Sequence, residues 1–358
     1  AAGVMSALLQ EDNSAYAASI REKYRQMLTD HNSRKSEKKL LSLEEARSNR
    51  LVTEWRQEEI SEPAAKGISV FEEFDLNVLS EYIDWTFFFF AWKVSGKFPA
   101  IFDDPVKGEE ARKLYDDAQL YMKEIIDKKL LKANGVLGLF PAVSSGDDVL
   151  VLDDSNGRTV KKVFCFLRNQ EQKEKGVPNL CLADYVAPES SGLTDWIGAF
   201  VVSAALDDEA MLSYKNDDYA TIMIRILSDR IAEAAAEYLH ERVRKEHWGF
   251  AAGEDLTLDD LLKIRYRGIR PAPGYPACPD HTEKRIIFDL LDAESNTGAR
   301  LTENFAMIPP AAVSGYIFSH SLSSYFNVGK IGEDQLRDYA SRKNMTVEEA
   351  ARWLAPNL

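Results

Sequence analysis

Between Arg265 and Lys284 the chain reads RYRGIRPAPGYPACPDHTEK, a run unlike any other in its 358 residues. Pro271, Pro273, Pro276 and Pro279 fix φ at four places. Each also restricts the residue before it. Pro273-Gly274 predicts a tight turn. Such a loop is ordered before a ligand arrives, so binding loses little entropy. Proline lacks the N–H but keeps its carbonyl. An ordered row of spare carbonyls suits a ligand with donors, such as an adenine amino group or an ammonium. Arg270 offers a rigid fork for a carboxylate, and Tyr275 a face for stacking. On chemistry alone, a purely structural Pro-rich loop stands beside this reading.

Other residues with chemical potential are scattered. Asp229, Glu233, Glu237 and Glu241 recur every four residues, which lines four carboxylates along one helix stripe. A solvated face relieved by Arg230, Arg242 and Arg244 accounts for Glu237 and Glu241. His240 and His247, seven apart, read as surface or interface residues. Cys278 and His281 supply two zinc-type ligands where a site needs four. Phe87 to Phe90 reads as core. Gly135 and Gly138 do not form GxGxxG, so a dinucleotide-type fold lacks its main signature. Lys263, Arg265, Arg267, Arg270, Lys284 and Arg285 cluster around the Pro-rich loop, without obvious acidic neighbours in sequence. The net charge of −14 argues against nucleic-acid binding. A local basic patch on such a protein can steer an acidic partner.

Elements must position these groups. Alanines and large apolar residues from Ala111 to Leu130 recur at helical spacing, which predicts a helix within Asp103–Asn134 closed by Gly135. Val136–Phe140, Val149–Leu152, Val160–Leu167 and Trp196–Ser203 read as strands. Asp153-Asp154-Ser155-Asn156-Gly157 predicts a hairpin turn between the second and third. A long helix is expected over Tyr219–Trp248, then helices at Leu258–Ile264 and His281–Ala293. Asp280 would cap the latter, with Glu283 as its reciprocal partner. Strands at Val313–Phe318 and Tyr325–Lys330 precede two terminal helices, the last capped at Thr346. The pattern is α+β with an antiparallel sheet. Residues 67–358 form the compact domain. Residues 1–66 read as a partly helical linker arm, polar from His31 to Lys39, with a capping box at Ser42 and Glu45. The segment AAGVMSALLQ reads as the end of a helix whose earlier part is cut away. It lacks a basic n-region and a cleavage signature. The longest apolar run, Trp85 to Trp92, is too short to span a bilayer. Cys165, Cys181 and Cys278 read as free thiols, and a cytoplasmic location is expected.

The Pro-rich run resembles the signature loop of the activation domain of cobalamin-dependent methionine synthases. Other stretches match in order. Tyr82-Ile83-Asp84-Trp85-Thr86 and Gly96-Lys97-Phe98-Pro99 resemble the family's early elements. Cys181 to Pro188 (CLADYVAP) and Ala232 to Lys245 are similar to later ones. Leu301-Thr302-Glu303, Val313-Ser314-Gly315 and Trp353 to Leu358 complete the series. The resemblance covers residues 68–358. Residues 1–9 look like the last helix of the family's preceding cobalamin domain.

The resemblance implies a C-shaped single domain, a bent antiparallel sheet flanked by helices, that binds S-adenosylmethionine in a shallow groove. Asp84 would meet the ligand's sulfonium or amino side, Glu233 its ammonium and Arg270 its carboxylate. Ala272 and Tyr275 would contact the adenosine half. Tyr325 and Phe326 occupy a Tyr-Tyr position, and Phe326 lacks the hydroxyl. Ile264 stands where some members carry a ligand-binding Glu. Asp229 would face the cobalamin domain. The implied function is reductive methylation of cob(II)alamin to methylcobalamin within a methyltransferase of methionine biosynthesis, without an acid or base from this chain. Cobalamin would be presented by a neighbouring domain, since the ligating DxHxxG pattern is absent here. Zinc would belong to the homocysteine domain. The electron donor would be flavodoxin or a flavoprotein reductase, docked on Lys263, Arg265, Arg267 and Arg285. A monomer without membrane attachment is expected. Two alternatives are a module that only recruits the reductase and a free-standing methyltransferase.

Overall fold

The computed structural model describes residues 14–34, 39–153 and 159–358. Helix α1 (Ser14–Arg34) comes first, then α2 (Leu43–Ser48), β1 (Gly67–Phe71), α3 (Leu76–Ser80), α4 (Trp85–Ala91) and α5 (Gly108–Asp127). Strands β2 (Leu131–Ser145), β3 (Asp148–Leu152), β4 (Val160–Cys165) and β5 (Asp195–Leu206) follow. Next come α6 (Asp208–Met211), α7 (Asp218–Arg242), α8 (Leu258–Leu262), α9 (Glu283–Leu291) and α10 (Ala293–Thr297). Short strands β6 (Arg300–Leu301) and β7 (Met307–Ile308), then β8 (Ala312–Ile317), α11 (Glu333–Arg342) and α12 (Val347–Trp353), complete the order.

The main sheet runs β4-β3-β2-β5-β8, and every strand pair in it is antiparallel. One edge of β2 is shared in turn: Gly135–Leu139 pair with β1, and Ala142–Ser145 with β3. The other edge pairs with β5 from Leu131 to Ala142. Side chains alternate across the sheet, as strand geometry requires. Leu131, Ala133, Leu137 and Leu139 face a core shared with α3, α4, α5 and α7. Val136, Phe140 and Ala142 face a second core, shared with α9 and the Cys181–Val186 segment. A smaller cluster, including Leu167, Val328, Leu336, Tyr339 and Leu354, holds α11 and the chain end. The α+β antiparallel architecture is the one expected.

Three sequence expectations are corrected. Helix α5 ends at Asp127, well before Gly135. Lys129 takes φ 52°, and the N–H groups of Lys129 and Leu130 bond the carbonyls of Ile126 and Ile125 at 3.2 and 3.0 Å. This is a Schellman stop with lysine where glycine is usual. Gly135 lies inside β2, where a Cβ would meet the Phe74 ring at 2.8 Å. Tyr325–Lys330 is not a strand. It is an irregular segment whose Val328 N–H bonds the Pro276 carbonyl at 2.9 Å. Asp280 accepts from the N–H and hydroxyl of Thr282. Glu283 does not reciprocate, because it is buried against Tyr316 and Lys343.

The arm is partly helical, as α1 and α2 show. From residue 39 the chain is docked on the body. Leu41 N–H bonds the Gln170 carbonyl at 2.8 Å, Leu43 and Ala46 are buried, and the Ser42–Glu45 capping box is formed. Arg47 bridges Asp147 at 2.8 Å and Asp338 at 2.9 Å. Further on, the Trp248 indole donates to the Ser61 carbonyl, and Ala65 N–H to that of His247. Residues 31–34 are helical. Residues 1–9 and most of the expected Asp153–Gly157 turn lie outside the described residues. Among the described residues no helix is long and apolar enough to cross a membrane.

Candidate functional site

Three segments meet at one cleft. Asp84 caps α4, accepting from the Thr86 N–H at 2.9 Å, so one carboxylate oxygen is committed to the helix start. The Thr86 hydroxyl accepts from Phe98 N–H, and Trp85 packs on Tyr115 with centroids 4.8 Å apart. The early motifs therefore brace one another and hold Asp84 at the cleft. Helix α7 contributes Arg230, Glu233 and Glu237. The third segment is the Pro-rich loop.

That loop is fixed by its own backbone bonds. Gly274 takes φ 95°, and a Cβ there would lie 2.2 Å from the His281 ring. Its N–H bonds the Cys278 carbonyl, Tyr275 N–H that of Ala272, and Cys278 N–H that of Tyr275. The Pro271 carbonyl accepts from Tyr316 in β8, and the Pro276 carbonyl from Val328. These five carbonyls are satisfied by the protein. The expected row of spare acceptors is thus corrected for Pro271 and Pro276, whose carbonyls tie the loop to β8 and to the segment after it, while those of Ala272, Tyr275 and Cys278 close turns within the loop. What the loop presents outward is Tyr275, which is 61 % exposed.

All seven expected ligand residues meet in one place. A cavity of about 480 Å³ is lined by Asp84, Glu233, Arg270, Tyr275 and Tyr325, together with Tyr82, Phe87, Arg230 and Glu237. A smaller one of about 260 Å³ adds Ala272 and Phe326, and shares Glu233, Arg270, Tyr275 and Tyr325. The two are lobes of a single cleft. Leu262, Ile264 and Phe87 give the larger lobe an apolar rim, each being exposed. Ile264 adopts φ 57°, a costly conformation for a β-branched residue.

The four carboxylates of α7 divide. Glu233 is exposed and has no hydrogen bond or ion pair with any described residue. Glu241 accepts from Tyr82 at 2.7 Å and pairs with Lys245. Asp229 lies outside the cleft, in a separate hollow of about 550 Å³ with Arg225, Asp208 and Ile308 to Ala311. Burial pushes its carboxyl upward from the usual aspartate range. Glu237 is not on a solvated face. Its side chain is 6 % exposed and takes a two-pronged hydrogen bond from Arg270, at 2.6 and 3.1 Å.

His240 also departs from expectation. It is 1 % exposed, and its Nδ1 lies 2.8 Å from Arg244 Nη1 and 3.2 Å from Arg270 Nη1. Burial, with the two guanidinium groups, holds the imidazole far below its usual pKa. Tyr266 completes this layer. It stands edge-on to His240, lies beneath Arg244 at 4.3 Å and accepts from Arg270 at 3.1 Å. Sequence reasoning missed Glu237, His240, Tyr266 and Tyr82. The only signal available was that Glu233, Glu237, His240 and Arg244 follow one helical stripe.

Two of the four expected docking residues are neutralised by ion pairs. Lys263 pairs with Asp259 at 2.5 Å and Arg265 with Asp260 at 2.6 Å. Arg267 is spent on the carbonyls of Ser319 and Phe250. Arg285 is exposed and has no acidic partner among the described residues. The expectation of charge without an acidic partner at all four positions is therefore corrected for Lys263 and Arg265; Arg267 is hydrogen-bonded but keeps its charge.

Two comparisons bear on this arrangement. Residues 75–344 match the family model described as the vitamin B12 dependent methionine synthase, activation domain. The chain is also similar to a solved structure described as the MetH reactivation domain bound to AdoHcy. The two share 47% sequence identity with a TM-score of 0.86, over 89% of this chain and 98% of that one. The family match spans β2 to β8, α7 and the Pro-rich loop, so the chain belongs to the activation-domain family of vitamin B12-dependent methionine synthases.

Proposed function

We propose that this cleft binds S-adenosylmethionine and presents it to cobalamin carried by a neighbouring domain of the same enzyme. The supporting observation is the charge and shape of the cleft. Asp84, Glu233 and Glu237 face Arg230 and Arg270, which leaves one net negative charge among the lining residues. S-adenosylmethionine carries one net positive charge, from an ammonium and a sulfonium against one carboxylate. The exposed ring of Tyr275 suits a nucleobase, and Arg270 suits the carboxylate. Glu233, unpaired, suits the ammonium. The MetH structure with AdoHcy supports a ligand of this class.

When bound, S-adenosylmethionine supplies a methyl group with a good leaving group attached, and the protein need not move a proton. Its residues bind and orient. Asp84, held by Thr86, sets one end of the ligand, and Arg270, held by Glu237, sets the other. The apolar rim of Phe87, Leu262 and Ile264 limits water at the mouth. An electron would come from flavodoxin or a flavoprotein reductase, in the cytoplasm, and Asp229 would face the cobalamin domain. Calorimetric titration with S-adenosylmethionine tests the reading. A saturable heat at one site is expected, and its absence would favour a module that only recruits the reductase.

A further inference from the structure

Behind Arg270 lies a second layer of side chains, of which His240 and Arg244 do not line the cleft. Glu237, His240 and Arg244 follow one stripe of α7 into the turn Val243–His247, which is wound more widely than an α-helix. Arg244 is fully buried and pairs with Glu254 at 2.7 Å. Its Nη1 and that of Arg270 both point at the same atom, His240 Nδ1. Guanidinium nitrogens only donate. Nδ1 must therefore be bare, and the ring proton sits on Nε2. That Nε2 is itself buried and has no hydrogen-bond partner. Among the described residues, the hydrogen bonds of this imidazole are made through Nδ1.

We propose that His240 is a positioning residue for ligand binding. Its bare Nδ1 gathers the guanidinium groups of Arg244 and Arg270, and so fixes where the ligand's carboxylate meets the cleft. The inference rests on Arg270 as the carboxylate's partner. The two-pronged bond to Glu237 holds one edge of the Arg270 guanidinium, and the contacts of Nη1 to His240 and Tyr266 hold it from a second side. Positioning groups of this kind act by preorganising the group that touches the ligand.

The test uses two ligands on the whole chain. S-adenosylmethionine carries the carboxylate, and methylthioadenosine lacks it. His240→Leu removes the acceptor. His240→Asn keeps one, because the Asn carbonyl oxygen sits about where Nδ1 does. The expected result is a loss of about tenfold or more in S-adenosylmethionine affinity for His240→Leu. His240→Asn should stay within about threefold, and methylthioadenosine affinity should stay unchanged in both. Equal weakening of both ligands would overturn the proposal, since it would mean general damage. Unchanged S-adenosylmethionine affinity in His240→Leu would overturn it too. Should His240→Leu fail to fold, nitrogen-15 spectra of the wild-type histidines decide. A bare Nδ1 and protonated Nε2 at His240 are required, and the opposite tautomer refutes the proposal. Arg270→Ala serves as the control. If it binds S-adenosylmethionine as well as the wild type, the assignment of Arg270 fails instead, whatever His240 does.

Discussion

Arg270 Nη2 lies 2.6 Å from Glu237 Oε2, and the second prong joins Nη1 to Oε1 at 3.1 Å. This cleft-lining cation is therefore held by an internal carboxylate. On the proposed reading, a ligand carboxylate would approach the remaining edge of this fork, whose side chain is 18 % exposed. Glu237→Gln removes the charge and keeps the shape. Breaking one partner of a largely buried pair costs about 3 kcal/mol. Urea unfolding of this variant should show a loss of that order. A loss under about 0.5 kcal/mol would mean that the pair contributes little.

The net negative charge among the cleft residues predicts ligand discrimination. S-adenosylmethionine should bind more tightly than its neutral demethylated product. Screening should narrow the gap as salt rises. Glu233→Gln should narrow it as well, by about 0.5 to 1 kcal/mol for one exposed charge. Calorimetry of both ligands at low and high salt reads this directly. A gap insensitive to salt and to Glu233 would assign the preference to shape instead.

Part of this cleft was legible before the fold was known. Arg270 and Tyr275 stood out from the chemistry of the Pro-rich run, whose proline and glycine residues dictate the local backbone, whereas Asp84, Glu233, Ala272, Tyr325 and Phe326 were marked only by the resemblance to a family. Glu237 and His240 were misplaced because their partner lies some thirty residues away in sequence. A helical stripe does not reveal whether it faces water or a loop. The end of α5 was missed because its left-handed stop falls on Lys129, while the nearest glycine belongs to a strand. Tyr325–Lys330 is apolar enough for a strand, but its backbone is used to pin the Pro-rich loop. Charge pairing was missed for a simpler reason. Asp259 and Asp260 precede Lys263 and Arg265 by four and five residues, within reach once a short helix forms.

Asp195 makes stability depend on pH. Burial pushes its carboxyl up to about 6, even though it accepts backbone N–H bonds from Ala187 and Trp196. An aspartate in the unfolded chain titrates near 3.9. Between these values the folded state binds more protons than the unfolded one. Stability from this group is therefore greatest below about 4, falls as pH rises, and is fully lost above about 6. The expected fall is about 3 kcal/mol across that window. The check is the pH dependence of unfolding in the wild type minus that of Asp195→Asn. A difference that is flat between pH 4 and 7 would refute the assignment.

Arg47 ties the arm to the body through Asp147, which is fully buried, and Asp338. Arg168 also serves Asp147, so the carboxylate is not stranded when Arg47 is lost. Arg47→Ala should therefore cost only about 1 to 2 kcal/mol. It should also speed proteolytic cutting between residues 49 and 60. Cutting at the wild-type rate would show that Leu43, Ala46 and the Trp248–Ser61 bond hold the arm unaided.

Calorimetric titration of S-adenosylmethionine into the wild type and Arg270→Ala tests the central claim most directly. Saturable binding at one site in the wild type is predicted, with a loss of about 2 kcal/mol, or roughly thirtyfold, in the variant. No binding in the wild type, or affinities within twofold of each other, would contradict the account.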